Sequence, residues 1–529
     1  MDNTLSELDL WMGRAQETGL FDQMAGLVGS SVTEEDLLTQ SFDGKEDLIY
    51  ASSVQKSGDD LLALIKLKSE VSLAVLGKNK GGFKGTKKGG KDLAILFCPL
   101  NHKNAERLRR ILPYTAPSPL ADIDVTVGVG DRLGIASAGH VRLFKKLDDE
   151  AVKLGSFTFA PVLAQQSVRE ITLCDRTYED VLDCASWAVF QENFKKPWGA
   201  DGDHLKTADW VKKTLKLGFT MITADVSDYI RGEYVSLEER EILSLYEKRL
   251  DEKHRDRMEG SYLALSLKLD SGEVITISRA ELARIALIYT DALDYAYKLY
   301  QIGVKTGKPF DFELSIDETE TPTMVQAHVF IAMEMKERGV TISSLAPRFV
   351  GEFQKGIDYI GDKREFDEAF RTHAAIARNF GYRISIHSGS DKFMVFPTVG
   401  KQTNNRFHLK TAGTNWLQAL LVISRAEPAF FRKIYDTALK VFPAARKYYH
   451  ITPNLDNLPD LAALMDNQLP VVFENIDARQ VLHVTYGEML RDPDLKRQIY
   501  DVLAQHIEEY WDSLVEHIGK HLVYLGLMK

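Results

Sequence analysis

Three histidines, His204, His387 and His408, stand at the ends of short runs with strand character: the stretch closing on GADGDH (199–204), YRISIHS (382–388) and RFHLKTAG (406–413). Neutral imidazoles suit Zn²⁺ or another divalent transition metal, and three protein ligands leave a coordination position open for substrate. The expected cofactor is therefore a divalent metal cation, Zn²⁺ first, with Mn²⁺, Ni²⁺ or Co²⁺ as alternatives. Two carboxylates stand beside this set. Asp203 precedes His204, and Glu318 follows the run FDFELSID (310–317). Moving protons between substrate oxygens or carbons needs one base and one acid, and burial can tune two carboxylates apart. Asp203 and Glu318 are the catalytic candidates. A loop turn in GADGD and a helix cap before Pro322 are the structural alternatives for these acidic residues.

Further polar residues fall at or just beyond the ends of other runs. Gln165, Gln166, Arg348, Glu352, Asp391, Lys392 and Lys410 are candidates for substrate binding. Arginine can grip a carboxylate through two parallel bonds. Arg348, Lys392 and Lys410 would thus bring positive charge to the mouth of an otherwise acidic protein, which points to an anionic small-molecule substrate.

These residues can meet only if their runs end at one place. Seven runs are clear: 123–130, 157–165, 218–226, 310–317, 340–347, 382–388 and 406–413. An eighth, weaker one falls in the right gap near 194–204. Amphipathic stretches such as 325–339 and 365–381 lie between them. Strand–helix alternation implies parallel strands with crossover helices, and eight units over roughly 300 residues fit a (β/α)8 TIM-like barrel whose active site lies at the C-terminal strand ends. The expected organisation is an α+β N-terminal region (1–118), a catalytic barrel (119–429) with a helical insertion (228–305), and a mainly helical C-terminal extension (430–529). The segment VLHVTYG (481–487) reads equally as a strand or a helix start.

Composition removes other classes. The 529 residues carry 66 Lys+Arg against 76 Asp+Glu, and 44% are hydrophobic, enough for a full core. Net acidity argues against nucleic acid as a partner, no apolar run reaches a membrane span, and the acidic N-terminus lacks a signal layout, so a cytoplasmic protein is expected. Cys98, Cys174 and Cys184 show no CxxC spacing and read as reduced, mostly buried thiols. The insert GKNKGGFKGTKKGGK (77–91) reads as a flexible loop. Its Gly85, Gly90 and Lys91 match a phosphate loop, but Asp92 replaces the Mg²⁺-binding hydroxyl. VGVGDRLG (127–134) has its third glycine displaced to Gly134, so no nicotinamide site is expected. Gly128 and Gly130 are expected to let the strand end bend.

The segments GDRLGIASAGHVRLF (130–144), LAQQSVRE (163–170), GADGDH, SIDETETPT (315–323), PRFVGEFQKGIDYIGD (347–362), SIHSGSDKF (385–393), FHLKTAGTNW (407–416) and RQVLHVTYG (479–487) resemble the tagaturonate epimerase family. The likeness runs from about 124 to the C-terminus. It implies metal-dependent interconversion of the ketouronates D-tagaturonate and D-fructuronate in hexuronate catabolism, with His204, His387 and His408 as metal ligands and Asp203 and Glu318 as acid/base pair. Retro-aldol cleavage and re-addition is the expected route, since the inverting carbon is not adjacent to the ketone; transient oxidation by a tightly held nicotinamide is the alternative, disfavoured by the weak glycine signature. Two other classes remain open: another metal-dependent isomerase or aldolase for an acidic sugar, and a non-enzymatic carbohydrate-binding protein.

Overall fold

The structure, a computed structural model, describes residues 2–28, 30, 32, 41–78, 80–89, 94–154 and 157–529. The chain divides into two compact units, Met1–Pro117 with Glu179–Pro197, and Ser118–Tyr178 with Trp198–Lys529. The first is built on an antiparallel sheet of β1 (Gln55–Ser57), β2 (Asp60–Lys66), β3 (Val71–Leu76), β4 (Thr86–Gly89) and β5 (Ala94–Pro99), in the order β1-β2-β3-β5-β4. Successive strand side chains point to opposite faces, and here both faces are apolar. Leu61, Ala63 and Ile65 pack with Leu8, Trp11 and Met24 of the first two helices. Leu62 and Leu64 pack with Leu108 and with Trp187 and Phe190 of the helix Tyr178–Gln191. Each such side chain contributes about 1.5–3 kcal/mol when buried, which explains why 179–197 belongs to this unit.

The insert expected to be a loop contains a strand: Thr86–Gly89 pairs in full with β5. Gly85 lies against the Phe97 carbonyl, where a Cβ would collide. Close backbone approach accounts for that glycine. Gly90, Lys91 and Asp92 lie outside the described residues.

The second unit holds a closed parallel barrel. Its strands are β6 (Val125–Gly128), β7 (Phe159–Ser167), β8 (Gly199–Leu205) and β9 (Met221–Asp225), then β12 (Asp311–Ser315), β13 (Ser344–Ala346), β14 (Arg383–Ile386) and β15 (Phe407–Lys410), with β15 closing onto β6. All eight expected runs supply a strand. Between β9 and β12 come the helices Glu239–Arg249, Glu252–Tyr262 and Arg279–Val304, and a hairpin of β10 (Leu267–Lys268) and β11 (Val274–Ile275). Ser278 and Glu281 form a reciprocal cap at the start of the long helix.

The C-terminal helices belong to the barrel unit. In helix Ile507–Tyr524, the Trp511 indole donates to the Ile135 carbonyl at 2.7 Å and Glu508 pairs with Arg142 at 2.6 Å. The Trp416 indole donates to the Leu482 carbonyl at 2.9 Å. VLHVTYG is helical, spanning the end of helix Ile476–Val484 and the start of Tyr486–Leu490. Among the described residues no helix is long and apolar enough to cross a membrane.

Candidate active site

A cavity of about 260 Å³ opens at the C-terminal strand ends. Asp203 and His204 both line it, although neighbours in a regular strand point to opposite faces. The cause is an irregularity in β8. Gly202 pairs with Ile222 and Leu205 with Ala224, three steps on β8 against two on β9. His204 takes up the extra residue in the left-handed region, φ 51°. Bulges of this kind re-aim side chains, and here they present a carboxylate and an imidazole together.

Beneath the cavity lies a charge network with Lys410 at its centre. Lys410 Nζ reaches Asp203 at 2.6 Å, Glu313 at 2.8 Å, Asp201 at 2.9 Å and the Thr223 hydroxyl at 2.6 Å. All four partners are buried. Burial alone would neutralise such groups, yet three carboxylates hold the ammonium well above its ordinary value. Burial also acts to raise the Asp203 carboxyl, but Lys410, His204 and His387 outweigh it and hold it down at about 2. Asp203 is thus a carboxylate at neutral pH. Burial keeps Asp201 up, at about 6.

The three histidines share a pattern: each has one ring nitrogen beside an acceptor and the other without a hydrogen bond. His204 Nδ1 lies 3.4 Å from Asp225 Oδ2, and its Nε2 is 3.9 Å from Asp203 Oδ1. His387 Nε2 meets Glu313 Oε1 at 2.8 Å, while Nδ1 stands 3.1 Å from Asp317 Oδ1 without hydrogen-bond alignment. His408 Nδ1 sits between the Thr126 hydroxyl at 2.8 Å and the Thr126 carbonyl at 3.2 Å, and its buried Nε2 has no partner. Metal-ligating histidines are oriented this way, one nitrogen tied to a carboxylate or carbonyl and the other presenting a lone pair. Burial holds His408 down at about 3, a neutral imidazole. Burial also disfavours charge on His204, but Asp203, Asp225 and Glu318 lift it to about 10, an environment built for positive charge.

The rings of His204 and His387 meet edge to face, 4.9 Å apart. His204, Asp225 and Glu318 offer ligand atoms that all lie within 4.8 Å of one another. His408 belongs to no such group among the described residues and is not in the cavity lining.

The remaining expected residues divide. Gln165, Glu318, Arg348, Glu352 and Lys410 line the cavity; Gln166, Asp391 and Lys392 do not. Gln166 accepts from Arg176 at 3.2 Å. Lys392 Nζ donates to the carbonyls of Ser390, Gln354 and Ile357 at 2.8, 2.9 and 2.5 Å, so it clamps a loop and is turned away from any ligand. Asp391, left-handed at φ 61°, faces Arg479 and His517 at 2.8 Å each. Gly128 leaves room: a Cβ there would collide with the buried, unpartnered Gln165 Oε1. Its φ is not in the left-handed region, so close approach replaces the expected bend.

Asp317 and Arg169 fall at expected strand ends, whereas Asp225, Glu313, Lys355 and His483 were not among the expected site residues. Asp225 and Glu313 were legible in principle as acidic residues inside strand runs, where only a partnered charge survives burial. Lys355 and His483 carried no such signal.

The family model described as "UxaE: tagaturonate epimerase" matches residues 50–525. A protein of Thermotoga maritima named tagaturonate/fructuronate epimerase is 42% identical over 437 residues, covering 82% of this chain and 88% of that one. The native crystal structure of the fructuronate-tagaturonate epimerase UxaE from Cohnella laeviribosi superimposes with a TM-score of 0.85 at 41% identity, covering 90% of this chain and 96% of that one. A glycerol complex of the same Cohnella protein matches equally, again with a TM-score of 0.85.

Proposed function

The chain belongs to the tagaturonate epimerase family and is an isomerase-class enzyme, and from that premise we propose that it interconverts D-tagaturonate and D-fructuronate with a bound divalent cation. The observation that carries the metal is the shared orientation of His204 and His387 at the cavity, each tied through one nitrogen and free at the other. His204 and His387, whose rings meet at 4.9 Å, would hold the cation at the cavity, with the Glu318 and Asp225 carboxylates close to His204. When bound there, a divalent cation would supply Lewis-acid stabilisation of negative charge developing on the substrate ketone.

The two ketouronates differ at one hydroxyl-bearing carbon, separated from the ketone carbon by one other carbon. Its hydrogen is not acidified by the ketone, so enolisation cannot invert it, whereas retro-aldol cleavage can. In this reading Asp203, held as a carboxylate, takes the hydroxyl proton from the inverting carbon. The bond to the neighbouring carbon breaks, its electron pair stays with the ketone fragment as an enediolate, and the inverting carbon becomes an aldehyde. The aldehyde turns over and the bond re-forms on its other face. Glu318, on another part of the same lining, handles the proton from that side. Lys410 keeps Asp203 ionised and in place throughout.

Incubating the enzyme with each ketouronate in D₂O tests this. Product of the other configuration is expected, without deuterium at the inverting carbon, with activity lost on chelation and restored by Zn²⁺ or Mn²⁺. Solvent deuterium at that carbon would rule out the retro-aldol route. Full activity in a verified metal-free preparation would rule out the cation.

A further inference from the structure

The basic flank of the cavity has no role in the chemistry above. Lys410 is consumed by three carboxylates and Lys392 by three carbonyls. Lys355 is different. It lines the cavity, and among the described residues its ammonium donates only to the Ser388 hydroxyl, at 2.9 Å, and pairs with no carboxylate. His483 lines the same cavity from the C-terminal helix Ile476–Val484. Its imidazole is fully buried, and neither ring nitrogen has a hydrogen-bond partner. Native structures satisfy nearly all such groups, so two orphaned nitrogens on one buried ring call for an occupant. Gly413 packs against the Nε2–Cε1 edge of the ring, where any Cβ would run into it, and Gly413 lines the cavity beside His483. Arg132 reaches the His483 carbonyl at 3.4 Å while Glu170 holds its guanidinium at 2.7 Å, which fixes the backbone from behind.

We propose that Lys355 and His483 form a subsite for the α-hydroxy-carboxylate end of the substrate. A neutral imidazole has one donor and one acceptor. One ring nitrogen donates to a carboxylate oxygen, the other accepts a hydrogen bond from the hydroxyl on the adjacent carbon, and the Lys355 ammonium pairs with the anion. Burial and the nearby Arg169 and Arg132 disfavour the charge on Lys355, and a bound anion would relieve that. The proposal deepens the ketouronate reading and rests on it for the identity of the substrate. It assigns recognition of the acid group to a loop lysine and a C-terminal helix, away from the Asp203–Lys410 network.

Two probes test it without turnover. In calorimetric titration of the whole enzyme, D-glycerate, an α-hydroxy acid, is expected to bind, and glycerol at the same concentration to bind at least tenfold more weakly. Lys355→Met and His483→Leu should each weaken glycerate binding by roughly 10–100-fold, and His483→Gln should recover part of the loss. In turnover, both variants should raise KM for the ketouronate by a similar factor with kcat within a few-fold. Equal binding of glycerate and glycerol by the wild-type enzyme would overturn the subsite whether or not a variant folds. So would glycerate affinity unchanged within twofold in both variants. If the wild type fails on both ketouronates, the functional reading falls, and the glycerate titrations still decide the subsite.

Discussion

Two clusters in the barrel unit draw on the same side chains. His204, Asp225 and Glu318 bring their ligand atoms within 4.8 Å of one another, and so do Asp391, His517 and His521. In the first, His204 and Glu318 line the cavity, and the His204 ring keeps one nitrogen free of a hydrogen bond. In the second, the side chains face one another rather than a cavity. The Asp391 amide donates to His521 Nε2 at 2.9 Å, His521 Nδ1 meets the His517 carbonyl at 2.8 Å, and Arg479 and His517 each approach the carboxylate at 2.8 Å. None of these three lines the cavity. One inventory thus makes a site that opens on a cavity and a clasp whose charged groups face each other. The clasp holds the last helix, which carries His517 and His521, to the loop after β14.

Substitution should separate the two. His387→Ala is expected to take bound metal from about one ion per chain to background and to abolish epimerisation, measured by elemental analysis and product assay. His517→Ala should keep both. Equal metal content in the two variants would break the distinction. Next in size, Asp203→Asn and Glu318→Gln keep shape but remove a carboxylate, and each should lower kcat by about 10²–10⁴-fold, the range for loss of general acid–base catalysis. Near wild-type turnover in both, with the fold intact, would remove them from the mechanism. Asp391→Asn should act on stability. Leaving the part-buried Arg479 and His517 without their buried anion costs up to about 3–5 kcal/mol, read as a lower urea midpoint, with metal content unchanged. A drop in metal content with no loss of stability would reverse the roles of the clusters.

The barrel was legible because its strands are buried on both sides and read as apolar runs bounded by helices. The weak eighth run illustrates the limit. GADGDHL has the composition of a turn, yet it forms β8, and the bulge that lowers its strand signal is what presents Asp203 and His204 together. Asp391 and Lys392 were drawn into the expected site by closeness to His387 in sequence. Left-handed residues at Ser388 and Asp391 turn the chain so that both face the protein interior instead. Sequence spacing cannot carry that information, since non-glycine residues with positive φ are set by tertiary context. His483 is the converse case. It lies far along the chain in a helix whose identity periodicity left open, and only the packing of that helix brings its ring to the cavity.

The smallest predicted effect follows from the clasp's electrostatics. Burial acts to raise the Asp391 carboxyl, but His517, Arg479 and His521 outweigh it and hold it well below its ordinary value of 3.8. A carboxyl depressed on folding contributes stability that is fully present above the unfolded-state value and is lost as pH falls through the folded one. The stability gap between wild type and Asp391→Asn should therefore be flat from pH 7 to about pH 5. Below about pH 4 it should shrink by up to about 1.4 kcal/mol per pH unit. Urea unfolding at pH 7, 5, 4 and 3 reads this directly. Because the Lys410 carboxylates also titrate in acid, the measured quantity is the difference between the two proteins, in which their contribution cancels. A gap that stayed constant down to pH 3 would show that the Asp391 carboxyl is not depressed. The second cluster would then be held by the backbone hydrogen bonds of His521 alone, and the contrast between an open site and a charge-locked clasp would fail at its electrostatic half.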